Sequence, residues 1–507
     1  MISVIQREIE KEARKRLARL RRQIAAAKYK HQKFEKRTGT IAIISGKKEP
    51  AYWSVHKHYN PRYCIRHSKF LAKGIWNAIK REDYKPTPAI EMRFKKPSGG
   101  ERAIHIFSIP DAAVSNLFTR NIIDRNDGIF SSSSFAYRTT KTPLDAIIHL
   151  RNLTRDGKSF IVSFDFKSYF DSIPSEHLRS QIFPKATQLL TTFAEREVIG
   201  AFLSHRYADI SAYSARKFER RRNGIPQGTS ISLFLANAAV HQLDIQLEKM
   251  NGRFVRFADD ILIVTSSYED AISAHNVFRD FSTRSGIPIN EDKSTGIRLL
   301  AEPGKAEILS TKNVDFLGYS LTKENILISE RAIRHIKRHI AQTIYNHLLL
   351  YPRKFSFNKN RVGPDFYDWD LVTCINDIRR YLYGGLGEQV TRDYLDARLA
   401  IRRFKGIAAY FCLVDDVKQF SALDGWMINA IDRAHRLRRK VLSARHRTFM
   451  PPLGKASIID GSWYQYTALP METQCPSFVV SWRTARKKWA RKGLVGLSLP
   501  SGIYAYM

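Results

Sequence analysis

Phe254-Val255-Arg256-Phe257-Ala258-Asp259-Asp260-Ile261-Leu262-Ile263-Val264 decides the reading of this chain. Two apolar runs flank adjacent aspartates, the pattern of two buried strands joined by a turn that carries the carboxylates. Like charges side by side repel, so an apolar hairpin keeps such a pair at its mouth where something positive meets it. A divalent metal is the simplest partner, because magnesium takes hard carboxylate oxygens, one or two from the protein and the rest from water and phosphates. Alone, the pair reads as solvated turn chemistry. A third carboxylate upstream changes that reading.

It sits in Ser159-Phe160-Ile161-Val162-Ser163-Phe164-Asp165-Phe166-Lys167-Ser168-Tyr169-Phe170-Asp171-Ser172-Ile173-Pro174. An apolar strand ends at Asp165, and the segment then turns away into a helix. Two strand ends carrying Asp165 and Asp259 can face each other and hold two metals, the arrangement that clamps attacking and leaving oxygens in phosphoryl transfer.

Composition bounds the rest. A chain of 507 residues can bury a full core and hold two or more domains. Its formal net charge of +36, from 84 Lys plus Arg against 48 Asp plus Glu, demands a polyanionic partner. The charge runs along the whole chain and no lipid-anchoring motif is present, which favours nucleic acid over a membrane surface. Cys64, Cys374, Cys412 and Cys475 are far apart. That spacing argues for a reducing, cytoplasmic setting and against a disulfide frame or a cysteine-based zinc module. The N-terminus is too charged for a signal peptide, and no apolar run is long enough to cross a bilayer.

Ile2, Ile5, Ile9, Ala13, Leu17, Leu20 and Ile24 step by three and four, predicting one amphipathic helix over residues 1 to about 38, either packed on the body or gripping RNA through its basic faces. Phe94-Lys95-Lys96-Pro97-Ser98-Gly99-Gly100-Glu101-Arg102 and the apolar residues after it read as strand, glycine turn, strand. Asn223-Gly224-Ile225-Pro226-Gln227-Gly228-Thr229-Ser230 precedes an apolar helix expected from Leu233 to about Leu247, with glycine and proline letting the backbone approach a ligand. A helix is expected from Ala271 to Ser285, after which the segment through Asn290 and Lys293 returns to the sheet.

These stretches resemble, in order, the motifs of reverse transcriptases, and most nearly those of stand-alone bacterial enzymes of the group II intron and retron superfamily associated with defence against phage. Phe257-Ala258-Asp259-Asp260 resembles their Tyr/Phe-Ala-Asp-Asp box, and Asp165 to Asp171 their first palm motif. The resemblance implies catalytic Asp165, Asp259, Asp260 and Lys293, the lysine as general acid if its neighbours lower its pKa. It implies metal binding by Asp165, Phe166, Asp259 and Asp260, with two Mg²⁺ ions, and Asp171 as a cap or supporting partner. Arg102, with Lys95 or Lys96, corresponds to the residues that reach the triphosphate, and Arg138 to an arginine near the nucleotide. Phe170 corresponds to the ring packed under the sugar that selects deoxynucleotides. Gln227 and Gly228 fall in the Pro-Gln-Gly motif beneath the nascent pair, and Phe316-Leu317-Gly318-Tyr319 resembles the primer-grip turn.

The implied fold is α+β, a right-hand polymerase whose fingers and palm (antiparallel sheet with helices) are followed by an α-helical thumb. The expected divisions are a basic N-terminal helical extension (1–50), fingers (51–155), palm with part of the fingers (156–322), thumb (323–450) and a basic, aromatic C-terminal extension (451–507), the last ordering on RNA or on another subunit. The implied activity is RNA-directed DNA synthesis from dNTPs on a cognate noncoding RNA, giving a DNA product, with no membrane partner and with basic ends that suit an RNA-bridged homo-oligomer. An RNA-templated RNA polymerase, a group II intron maturase and a silent RNA scaffold are the competing readings.

Overall fold

The computed structural model describes all residues except 42–47, 96–98, 184–188, 251–252, 303, 305–307, 364–366 and 501–507. One helix, α1 (Ile2–Thr38), opens the chain. The side chains of Ile5, Ile9 and Ala13 are wholly buried, as their stepping predicts, but Ile24 is 43% exposed. The stripe is core only in the first half of the helix. Two compact units make up the chain, residues 1–25 with 46–311 and residues 26–45 with 312–507.

The first unit carries β1 (Ala89–Lys95), β2 (Glu101–Ile106), β3 (Phe160–Phe164), β4 (Arg206–Ala208), β5 (Glu219–Arg220), β6 (Arg253–Phe257), β7 (Asp260–Thr265), β8 (Thr295–Leu300) and β9 (Ser310–Thr311). They form a four-stranded fingers sheet, ordered β2-β1-β4-β5, and a five-stranded palm sheet, ordered β6-β7-β3-β8-β9. In the palm β6, β7, β3 and β8 are mutually antiparallel. One core serves both sheets: Val114 and Phe118 of the helix Ile109–Asn126, Phe234 of the helix Ile231–Ala239, Val162 of β3 and Phe278 of the helix Tyr268–Ser285 belong to it together with Ile5 and Ile9. Each large apolar side chain so buried contributes about 1.5–3 kcal/mol. Phe164, the last residue of β3, lies flat on Phe278 with ring centroids 3.8 Å apart, which fixes the strand end next to Asp165.

The apolar helix expected from Leu233 to Leu247 is instead two helices, Ile231–Ala239 and His241–Lys249, broken at Val240. The ring of His177 takes up the Ala239 carbonyl at 2.7 Å, so the break leaves no buried acceptor without a donor there.

The second unit begins with a three-stranded antiparallel sheet of β10 (Val314–Phe316), β11 (Tyr319–Leu321) and β12 (Ile326–Ile328). Long helices follow, among them Glu330–Ile344, Trp369–Tyr383 and Val417–His446. Arg37 and Arg438, both fully buried, meet Asp370 at 3.0 and 2.9 Å, and Arg438 also meets Asp368 at 2.9 Å. The expectation that the residues after 450 order on RNA or on another subunit is corrected for one part of them. Phe478–Lys492 is a helix whose Trp482 stacks on Phe420 of Val417–His446 at 5.4 Å, so this part of the extension is built into the unit's own core. The chain is therefore α+β, with fingers and palm in the first unit and helices dominating the second, the make-up of a right-hand polymerase. No helix among the described residues is long and apolar enough to cross a membrane.

Candidate active site

β6 and β7 are joined by a two-residue turn, Ala258-Asp259, with Phe257 paired to Asp260. The turn holds Ala258 at φ 61°, a left-handed conformation that costs a residue with a side chain about 1–2 kcal/mol. A buried arginine braces it. Arg256, 0% exposed, donates through Nε and Nη2 to the two carboxylate oxygens of Asp244 at 2.8 and 2.6 Å. It also donates to Asn237 Oδ1 at 3.1 Å, to Ser134 Oγ at 2.7 Å and to the Ala258 carbonyl at 3.2 Å. Sequence reading assigned Arg256 no role. The signal was there, because an arginine inside an apolar strand requires a buried acid to meet it.

β3 lies antiparallel to β7 with Phe164 opposite Ile261, so continuing the register sets Asp165 beside Asp260 at the same end of the sheet. Asp165 is 7% exposed, and its Oδ2 accepts from Asn290 Nδ2 at 2.8 Å and lies 3.1 Å from Lys293 Nζ. The Asn290 N–H donates to the Asp165 carbonyl at 2.8 Å, and the Asp165 N–H to Ser294 Oγ at 3.3 Å. The 290–294 segment thus clasps Asp165 from both sides. Burial raises the pKa of Asp259 above the ordinary carboxylate value, the negative charge of Asp165 adds to the rise, and Lys293 and Arg102 oppose it.

The pKa of Lys293 is raised, where its expected part as general acid is conditioned on a lowering. Its hydrogen bond to Asp165 comes first in raising its pKa, and the charges of Asp165, Asp260 and Asp259 raise it further.

Among the described residues no three His, Cys, Asp or Glu side chains are disposed to enclose a metal ion. The donor set nevertheless fits a hard cation, since carboxylates share one field there and a lysine ammonium now stands in it. Phe166 can add only its carbonyl, because its ring is 2% exposed and stacks on Tyr169 and Phe278 at 5.2 and 5.0 Å.

The Pro-Gln-Gly loop ties the fingers hairpin to the palm. Arg102 Nε donates to Gln227 Oε1 at 2.5 Å, and Gln227 Nε2 donates to Asp171 Oδ2 at 3.0 Å. Asp171 also accepts from Arg221 at 3.3 Å, which makes it a supporting partner. The His105 N–H donates to the Gln227 carbonyl at 2.7 Å. Gly228 is required by this approach, for at φ +121° an added Cβ would stand 2.2 Å from the His105 carbonyl oxygen. Phe170 is half-buried, edge-on to Tyr137 with centroids 6.4 Å apart.

Other expected residues fall elsewhere. Lys95 is exposed at the end of β1, opposite Glu101, and Lys96 lies outside the described residues. Arg138 is only 5% exposed on its side chain and is engaged by Asp127 at 2.8 Å and the carbonyls of Ser131 and Ser134 at 2.7 and 3.1 Å. These partners fix Arg138 within its own loop, one residue after Tyr137, which packs edge-on to Phe170. Phe316-Leu317-Gly318-Tyr319 forms the β10–β11 hairpin of the second unit, with positive φ at Leu317 (49°) and Gly318 (78°), and Tyr410 donates its hydroxyl to the Leu317 carbonyl at 2.6 Å.

A palm sheet with acidic side chains gathered at one end, and a basic hairpin held beside it, is the architecture of right-hand polymerases. Residues 94–321 match the family described as reverse transcriptase (RNA-dependent DNA polymerase). The chain is 25% identical over 205 residues to the retron Ec86 reverse transcriptase of Escherichia coli, covering 39% of this chain and 55% of that one. It is also 25% identical over 182 residues to an uncharacterized 91 kDa protein in the cob intron of Schizosaccharomyces pombe, covering 36% of this chain and 21% of the other. It thus spans about half of one relative and a fifth of the other. Telomerase from Candida albicans, solved with a TWJ fragment of telomeric RNA, aligns over 77% of this chain and 66% of its own at 12% identity and a TM-score of 0.38, too low to transfer geometry.

Proposed function

We propose that this chain is an RNA-directed DNA polymerase. One observation carries the reading: Asp165 and the Asp259-Asp260 pair come to the same end of the palm sheet, where Lys293 feels the charge of all three. Asp165, Asp259 and Asp260, with the Phe166 carbonyl, would hold two Mg²⁺ ions. Bound there, magnesium supplies charge neutralisation to the attacking and leaving oxygens of phosphoryl transfer. Lys293 then exchanges Asp165 for the leaving pyrophosphate, which its ammonium neutralises. Arg102, released from Gln227, meets the triphosphate, and Lys95 or Lys96 adds to that charge. The half-buried Phe170 ring fills the space a 2′-hydroxyl would need.

The template is proposed to be a cognate noncoding RNA and the setting defence against phage, a reading supported by the sequence resemblance. Assembly of several copies on RNA belongs to the same proposal. Primer extension on an RNA template with dNTPs against NTPs tests the activity. Incorporation of deoxynucleotides alone supports it, and preferential incorporation of ribonucleotides would turn the reading to an RNA-templated RNA polymerase.

A further inference from the structure

A cleft of about 580 Å³ lies in the first unit between the helices Ser175–Ile182 and Phe193–Leu203, the β4–β5 pair and the loop after Tyr84. Five cationic side chains line it: Lys85, Arg179, Arg196, Arg206 and Arg220. Glu197 is the acid among its lining residues, and none of the five cations has an ion pair with a carboxylate among the described residues. Arg206 and Arg220 are directly opposite each other in the β4–β5 ladder. Like charges at facing positions of an antiparallel pair destabilise it, so the fold carries a cost there that an anion would remove. β5 is the edge strand of the fingers sheet farthest from β2, the strand of Arg102, and none of the candidate active-site residues lines this cleft.

The lining selects the kind of anion. Single-stranded nucleic acid is held by open aromatic faces on which bases stack. Here Tyr84 is buried, with its hydroxyl donated to Asp111 at 2.8 Å, and the Phe218 ring beside the cleft is covered by the Arg206 guanidinium at 5.4 Å. Phe183, 37% exposed, is the open ring at the cleft. An acidic polypeptide would need apolar anchors that this arginine-dominated lining lacks. What remains is a set of guanidinium forks with little to stack a base on, which suits the regularly spaced phosphates of a duplex.

We propose that this cleft binds the phosphate backbone of a double-stranded RNA stem, at a site separate from that of template and primer. The proposal rests on the polymerase reading only in taking RNA as the polyanion the chain meets. The test measures binding of the full chain to an RNA stem of about 16 base pairs across a series of NaCl concentrations, for the wild type and for Arg206→Gln/Arg220→Gln. Loss of two phosphate contacts should make the slope of log K against log salt shallower by about 1.8, at about 0.9 per contact. Extension of a primer on a short unstructured template should be unchanged. Arg220→Gln alone removes the repulsive pair and leaves Arg206 on Phe218, so the Tm of that single variant should hold or rise, a result that mere structural damage would not give. Lys85→Gln/Arg179→Gln, made outside the strand pair, should reproduce the slope change. The proposal is overturned if stem affinity and slope stay as in the wild type while extension is intact. It is overturned equally if binding of an unstructured single strand falls as much as that of the stem, or if only the binding of polyglutamate is lost.

Discussion

Lys293 Nζ lies 3.1 Å from Asp165 Oδ2, so the candidate carboxylate cluster already contains a cation of its own. The lysine and a metal ion compete for the same negative field. Lys293→Met should therefore lower the Tm in EDTA and enlarge the rise in Tm that Mg²⁺ produces, since any ligand bound only by the folded state stabilises it, by about 2.7 kcal/mol at a hundredfold excess over Kd. Differential scanning fluorimetry with and without Mg²⁺ reads both effects.

Asp259 gives a pH signature. Burial and the charge of Asp165 raise its folded pKa above the unfolded value, so its ionised form costs stability. That cost is fully present above the folded pKa and is relieved as pH falls through it. In EDTA, Asp259→Asn should melt higher than the wild type at pH 7, and the gap should close as the pH is lowered towards the ordinary carboxylate range. With Mg²⁺ present the order should reverse, because the variant loses a ligand.

Arg256 and Asp244 are both fully buried and 2.6 Å apart. Removing one partner leaves a buried charge uncompensated, so Arg256→Met or Asp244→Asn should each cost about 3–5 kcal/mol in denaturant unfolding, and the double substitution less than the sum of the two. Incorporation should fall with either single variant, since Arg256 also bonds the Ala258 carbonyl in the turn that carries Asp259.

Gly228→Ala has a local consequence. The added carbon would stand 2.2 Å from the His105 carbonyl oxygen, so β2 must move away from the Pro-Gln-Gly loop and carry Arg102 off Gln227. The expected result is a raised KM for dNTP with RNA affinity unchanged, measured by steady-state primer extension.

Much of the palm was legible in the sequence because its signals are local. The paired aspartates interrupt an apolar run, and Asp165 ends one, so strand ends and carboxylates could be placed from neighbours alone. Asn290 was not given its part, because its partner Asp165 is 125 residues away and no local pattern announces the contact. The partners of Arg138, Asp127 and the Ser131 carbonyl, were not read either, because they belong to a loop whose path the sequence does not reveal. The break at Val240 escaped notice because both halves of the helix are good helix formers, and the compensating His177 comes from another element.

The most direct measurement is dNTP incorporation on an RNA template by the wild type and by Asp259→Ala/Asp260→Ala, with RNA affinity determined in parallel. The account expects metal-dependent incorporation by the wild type, none by the variant, and closely similar RNA binding by both. Incorporation that survives in the variant would contradict it.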